Sequence, residues 1–139
     1  FRASVGGMVP VGDLPAILGG LAARGLGLGI ASSDGEAAIR DTVVRFGLTE
    51  LVDFVCGWDS GHGPKPEPGM VHAFCHAVGV APAEVVMVGD TLHDIEMGRA
   101  AGCGLVVGVL TGTGTREVLA GVADLVIDGI ADLEAALFP

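Results

Sequence analysis

The chain has 139 residues, half of them hydrophobic, which allows one domain with a sizeable core and excludes a disordered acidic tail. Aromatics make up only 4% and Tyr is absent, so close packing of small residues, among them 24 Gly, has to do the work that large rings do elsewhere. A formal charge of −10, from 17 acidic and 7 basic residues, repels a phosphate backbone and argues against nucleic acid as a partner.

In chain order, Gly12 to Arg24 reads as a helix with Leu14, Ile17, Leu18 and Leu21 on one stripe, stopped near Gly25, where a C-terminal glycine belongs. Leu26 to Ala31 reads as a strand buried on both faces. Together the two segments are apolar enough to resemble a membrane span. Pro15, Arg24, several glycines and a change of period midway favour a buried helix followed by a buried strand, and no membrane association is expected. No basic region of a signal peptide precedes them. Gly35 to Phe46 is helical again, followed by a strand at Val52–Cys56 and a Gly- and Pro-rich loop from Gly57 to Pro66. A helix from about Glu67 to Val78 leads to the clearest strand, Glu84 to Val88, which runs into Gly89-Asp90. Then come a helix from Leu92 to Ala101, a strand at Leu105–Val109, a short helix at Arg116–Leu119, a strand at Leu125–Ile127 and a helix at Asp132–Leu137.

Strands and helices alternating at this spacing imply right-handed crossovers and a parallel sheet covered on both faces, a three-layer α/β/α sandwich of Rossmann-like type. Ligands of such sheets bind at the carboxyl ends of the strands. Three such ends carry unusual polar groups. Ser32, Ser33 and Asp34 follow the strand that ends at Ala31, Lys65 lies in the loop after Cys56, and Asp90 to Asp94 follow Val88.

Each group has a use in phosphate chemistry and an ordinary structural one. Ser32 and Ser33 offer hydroxyl and N–H donors to an anionic oxygen, or simply an N-cap. Lys65 is a compact cation suited to a phosphoryl group, in a loop stiffened by flanking prolines, although a lysine in such a loop is commonly solvated. Asp90 and Asp94 are hard oxygen ligands of the kind magnesium takes, or helix caps. Their order along the chain and shared place at strand ends favour the joint use. An acidic protein that handles phosphate needs a local cation, supplied here by a metal, Lys65 or both.

Other signals are weaker. Thr111-Gly-Thr-Gly-Thr115 lacks both the full dinucleotide fingerprint and a P-loop lysine, and reads as a flexible loop with an N-cap. His72 and His76 share a helix face at i, i+4 without a partner that completes a zinc pattern, and His93 lies near the proposed site. Cys56, Cys75 and Cys103 form no paired framework, which suits a reduced, cytoplasmic protein and ordinary apolar packing.

Three stretches, Ile-Ala-Ser-Ser-Asp (30–34), Gly-Pro-Lys-Pro-Glu-Pro (63–68) and Val-Gly-Asp-Thr-Leu-His-Asp-Ile-Glu-Met-Gly-Arg-Ala-Ala-Gly (88–102), resemble the second, third and fourth motifs of the haloacid dehalogenase superfamily. The Pro-x-Pro after Lys65 and the tail Ala123–Asp128 are most similar to its phosphoglycolate phosphatase-like branch. The resemblance implies a Mg²⁺-dependent phosphatase of a small phosphorylated metabolite, working through an aspartyl-phosphate intermediate, as a monomer or homodimer. It gives Ser32 and the backbone at Ser33 the phosphoryl group, Lys65 the bridge to the nucleophile, and Asp90 and Asp94 the metal, with Asp94 in the metal shell or orienting Lys65. The superfamily's first motif, an Asp-x-Asp that carries the nucleophile on a central strand, has no counterpart here. That strand and the cap are therefore expected to be missing from the chain, with residues 1–9 the end of a cap or a linker and residues 10–139 the core domain. Two alternatives stand beside the phosphatase: a non-catalytic module that binds phosphate or a partner, and a dehalogenase or phosphonate hydrolase of the same superfamily.

Overall fold

The computed structural model describes residues 2–5 (as backbone), 14–110 and 115–139. Twelve elements follow in order: β1 (Arg2–Val5), α1 (Leu14–Ala23), β2 (Gly27–Ala31), α2 (Glu36–Arg45), β3 (Phe54–Cys56), α3 (Gly69–Val78), β4 (Val85–Gly89), α4 (Leu92–Ala101), β5 (Leu105–Val109), α5 (Arg116–Ala120), β6 (Leu125–Ile127) and α6 (Leu133–Leu137), with 3-10 turns before β4 and α6. The strands form one six-stranded sheet in the order β3-β2-β1-β4-β5-β6. Every pairing is parallel.

The two faces of the sheet separate residue by residue, as the period of a strand requires. Leu28 and Ile30 of β2, Val86 and Val88 of β4, and Val107 and Val109 of β5 pack against α1, α2 and α6 through Leu18, Leu21, Ile39, Val43 and Leu133. Ala31, Val85, Met87 and Val106 face the other way, onto Met70 and Phe74 of α3, Ile95 and Met97 of α4, and Leu119 of α5. Small residues bring these layers close. A Cβ on Gly29 would lie 2.5 Å from the Phe74 ring, and one on Gly98 would lie 2.9 Å from Met87.

Acidic side chains seal the amino rim on both flanks in the same way. The Leu28 N–H donates to Asp53 Oδ2 at 2.8 Å, and the Asp53 N–H donates back to the Leu28 carbonyl at 2.7 Å. Across the sheet, the Val106 N–H donates to Asp124 Oδ2 and the Asp124 N–H to the Val106 carbonyl, both at 2.8 Å. Arg99 adds two hydrogen bonds at 3.0 Å to the Asp124 carboxylate. Its guanidinium, with the Val106 N–H, holds that carboxyl below the ordinary range.

The sequence reading holds for the α/β sandwich and for the elements from α1 to α6. It differs at the start of the chain. The central position between β2 and β4, expected to belong to a strand outside the chain, is occupied by β1: Arg2 pairs with Gly27 and Val85, and Ser4 with Gly29 and Met87. Four of the nine residues expected to be the end of a cap or a linker thus form a strand, and residues 1 and 6–9 lie outside the described residues. Ladder hydrogen bonds are made by backbone groups, so an extended segment can fill a slot between two strands whatever its side chains. No described helix is long and apolar enough to cross a membrane.

Candidate active site

The loop after β4 is built as one device. All five residues of β4 are buried, and the strand ends at Gly89, where a Cβ would meet the Asp94 Cβ at 2.1 Å. Only glycine lets the first turn of α4 fold back against the strand end. Thr91 caps that helix: its hydroxyl oxygen accepts the Asp94 N–H at 3.3 Å, and Asp94 Oδ2 accepts the Thr91 N–H at 3.3 Å. The Thr91 hydroxyl, at 3.0 Å, and the Asp90 N–H, at 3.2 Å, also donate to Asp94 Oδ2. The helix stops at Gly102, whose φ of +78° is the left-handed conformation that favours glycine.

The other oxygen of Asp94 accepts the Lys65 ammonium. This pair is out of water: the side chains are 9% exposed for Lys65 and 2% for Asp94. Burial, the largest single influence, pushes the Asp94 carboxyl up, but the Lys65 charge together with the hydrogen bonds from Lys65, Thr91 and Asp90 holds the group below its ordinary value. Asp90 is half-buried beside it. Burial, and then the neighbouring Asp94 carboxylate, push Asp90 above its ordinary value.

Ser32 lies at the end of β2 on the same carboxyl rim and is buried at 5% exposure. Its Oγ accepts the Asp34 N–H at 3.1 Å and donates to Asp34 Oδ2 at 3.3 Å, and its N–H donates to the Cys56 carbonyl at 3.0 Å. Ser33 is exposed. Lys65, Asp90 and Asp94 are therefore in one cluster, while Ser32 stands two strands from β4, with β1 between, and its hydroxyl bonds within its own turn. The loop of Lys65 leaves β3 at Cys56, next to the Ser32 turn, and reaches across the rim to Asp94.

Asp34, Glu36, Asp59 and Ser60 bind these loops together; the sequence gives a role to Asp59 alone, which with Trp58 is expected to shape the Lys65 loop. The Glu36 N–H donates to Asp59 Oδ1 at 2.8 Å, the Ser60 hydroxyl donates to Glu36 Oε1 at 2.7 Å, and the Trp58 N–H donates to the Asp34 carbonyl at 3.1 Å. Trp58 itself is 66% exposed on this rim. The pairing of Asp59 with Glu36 spans 23 residues, and no local pattern announces it.

Among the described residues no group of three or more His, Cys, Asp or Glu side chains could hold a metal ion, whereas a structural zinc site needs four such ligands. Magnesium needs fewer, since it is commonly held by one or two carboxylates with waters and substrate oxygens. Two carboxyls pressed together beside one ammonium suit that cation, and Asp90 is the one not already engaged by Lys65 and the cap. His72, His76 and His93 are all exposed, and Thr111–Gly114 lie outside the described residues. The three cysteines are free. Burial raises the thiols of Cys56 and Cys75, and pushes Cys103 up to about 11, which leaves all three as unreactive thiols. A cavity of about 560 Å³ lined by Gly25, Gly27, Asp53 and Val78 opens on the amino rim, away from the polar cluster.

The sequence profile of the haloacid dehalogenase-like hydrolase family matches residues 7–108, and the chain belongs to that family. It is 34% identical over 119 residues to a phosphoglycolate phosphatase of Rhodospirillum rubrum, covering 85% of this chain and 48% of that protein. It is 30% identical over 121 residues to the phosphoglycolate phosphatase of Escherichia coli, covering 86% and 48%. The chain thus spans about half the length of the curated relatives it matches. A hydrolase of the family from Deinococcus radiodurans, solved with bound phosphate and sodium, superposes with a TM-score of 0.78 at 27% identity over 91% of this chain and 58% of that one. A haloacid dehalogenase-like hydrolase from Streptococcus pneumoniae, at 18% identity and a TM-score of 0.80, covers 91% and 59% and shares the fold.

Proposed function

We propose that the protein is a magnesium-dependent phosphatase of small phosphomonoesters and that this chain carries its second, third and fourth motifs. The observation that carries this reading is the Lys65 ammonium held out of water against Asp94, with Asp90 beside them. Asp94 takes one of the three N–H donors of Lys65, which leaves two for a phosphoryl oxygen and for the nucleophile. The Ser32 hydroxyl, released from Asp34, and the backbone at Ser33 donate to the remaining oxygens of that group. Asp90, aided by its neighbour, would hold the magnesium ion, which when bound supplies positive charge to the phosphoryl oxygens. Asp94 positions Lys65 through Oδ1 and the α4 cap through Oδ2, and the acceptor site left on Oδ1 makes it the second carboxylate available to the metal shell.

The nucleophile is a carboxylate that attacks phosphorus, expels the alcohol and is then freed by water. Residues 1–9 contain no Asp or Glu, so the 139-residue chain by itself is expected to release no p-nitrophenol from p-nitrophenyl phosphate above the buffer rate. The intact protein is expected to do so with Mg²⁺ and to lose the activity on chelation. Lys65→Ala and Asp90→Asn should each lower kcat by about 10²-fold or more, the scale of removing one electrostatic stabiliser of the transition state. A Lys65→Ala protein within about threefold of wild type would be a difference of under about 1 kcal/mol and would refute the reading. A second reading, a phosphate-binding module without turnover, is favoured by one observation. The central strand slot is already filled by Arg2–Val5, which carries no carboxylate. Phosphate binding without hydrolysis by the intact protein would establish that reading instead.

A further inference from the structure

Helix α2 begins at Glu36 after Gly35, which has no side chain to cap it. The missing cap comes from another loop: Asp59 Oδ1 accepts the Glu36 N–H at 2.8 Å. Around this bond the two loops are interlocked. The Gly57 N–H donates to Ser60 Oγ at 2.9 Å, and Ser60 Oγ donates to Glu36 Oε1 at 2.7 Å. The backbones are in contact, since a Cβ on Gly57 would lie 2.5 Å from both the Asp34 carbonyl oxygen and the Glu36 nitrogen. The first loop carries Ser32 and the second carries Lys65.

We propose that Asp59 is a positioning residue, whose carboxylate caps α2 from outside and so locks the Ser32 turn and the Lys65 loop into one unit. The proposal rests on the reading of Ser32 and Lys65 as the groups that hold a phosphoryl group. Ser32 and Lys65 come from different crossovers of the sheet, and their spacing is fixed only as well as the two loops are fixed to each other. Asp59 hydrogen-bonds to the backbone of Glu36 and not to either side chain. It acts by removing the relative motion of the turns that bear them, and misplacement of a reacting partner by about 1 Å is enough to reduce a rate on the order of 10²-fold.

The test uses Asp59→Ala and Asp59→Asn, since the Asn side-chain oxygen can still accept the Glu36 N–H. In the 139-residue chain, Asp59→Ala should speed amide hydrogen exchange in residues 33–36 and 57–60 by about tenfold, while the amides of β4 and β5 keep their protection and Asp59→Asn stays near wild type. In the intact protein, well below the melting temperature, Asp59→Ala should lower kcat/KM by about tenfold and Asp59→Asn should restore it to within about twofold, because geometry rather than fold is at stake. Unchanged exchange at 33–36 in Asp59→Ala overturns the lock. Faster exchange with full turnover overturns the positioning role. If wild-type intact protein has no turnover, the phosphatase reading falls, and the exchange data alone decide whether the lock exists.

Discussion

Replacing Asp94 by Ala is expected to destabilise the protein by about 3–5 kcal/mol, the usual loss when one partner of a buried ion pair is removed and the other is left charged and unpaired. Lys65 would be that orphan, at 9% side-chain exposure. The same substitution removes the acceptor of the Thr91 N–H, the Thr91 hydroxyl and the Asp90 N–H, so the first turn of α4 loosens as well. Asp94→Asn keeps an acceptor for the cap but loses the charge, and should fall between wild type and Ala. Urea unfolding of the three proteins measures this. A loss under about 1 kcal/mol for Ala would mean that Lys65 swings into solvent and that the pair does not hold it.

The two carboxyls also predict opposite responses to acid. Asp94 is held below its ordinary value of about 3.9, so its stabilising contribution is fully present above that value and is lost as pH falls through its folded pKa. Asp90 is raised, so the folded state binds its proton more tightly than the unfolded chain does. Its protonation adds stability as pH falls through the window just above about 3.9. Asp90→Asn should abolish the second effect, while Asp94→Asn should abolish the first and weaken the second, because the Asp94 carboxylate helps to raise Asp90; both are read as stability against pH between about 3 and 7.

Gly69→Ala is expected to cost about 3 kcal/mol, at the upper end of overpacking, because the new methyl has no side chain to push aside. A Cβ there would lie 1.7 Å from the His62 carbonyl oxygen and 2.9 Å from its carbon. This contact docks the middle of the Lys65 loop, at His62, on the first turn of α3, as Asp59 and Ser60 dock its start on α2. The substitution should therefore also dislodge Lys65 and lower turnover in the intact protein. Gly19→Ala is the control: it lies inside α1 with nothing within 4 Å of the new Cβ, and should stabilise by up to about 1 kcal/mol. Equal stability of the Gly69→Ala protein and wild type would show that the loop is not seated on α3.

The parts of this site that are written locally were legible in the sequence. The end of β4 and the length of α4 follow from Val-Val-Met-Val-Gly-Asp and from Gly102, because each boundary is set by neighbouring residues. The start of β3 was read two residues early: Asp53 is polar where a strand should continue, and its side chain turns to the Leu28 N–H. The start of α3 also differs: the sequence suggests Glu67, whereas Pro68, with right-handed helical φ and ψ, is the N-cap and the helix begins at Gly69. β1 is not legible, because the alternation of Arg-Ala-Ser-Val is only four residues long and its place comes from pairing with strands more than 20 residues away. The cap on α2 was hidden for the same reason. Its acceptor belongs to a Trp-Asp-Ser turn that by itself looks like an ordinary loop.

The convergence of Ser32 and Lys65 on one phosphoryl group is the claim on which the rest depends. It is tested most directly by a crystal structure of the intact protein with Mg²⁺ and a phosphate mimic such as tungstate. Both Ser32 Oγ and Lys65 Nζ are predicted to lie within about 3.2 Å of oxygens of the same anion, with the metal on Asp90. An anion seated elsewhere, or held by Lys65 while Ser32 keeps its bonds to Asp34, would contradict it.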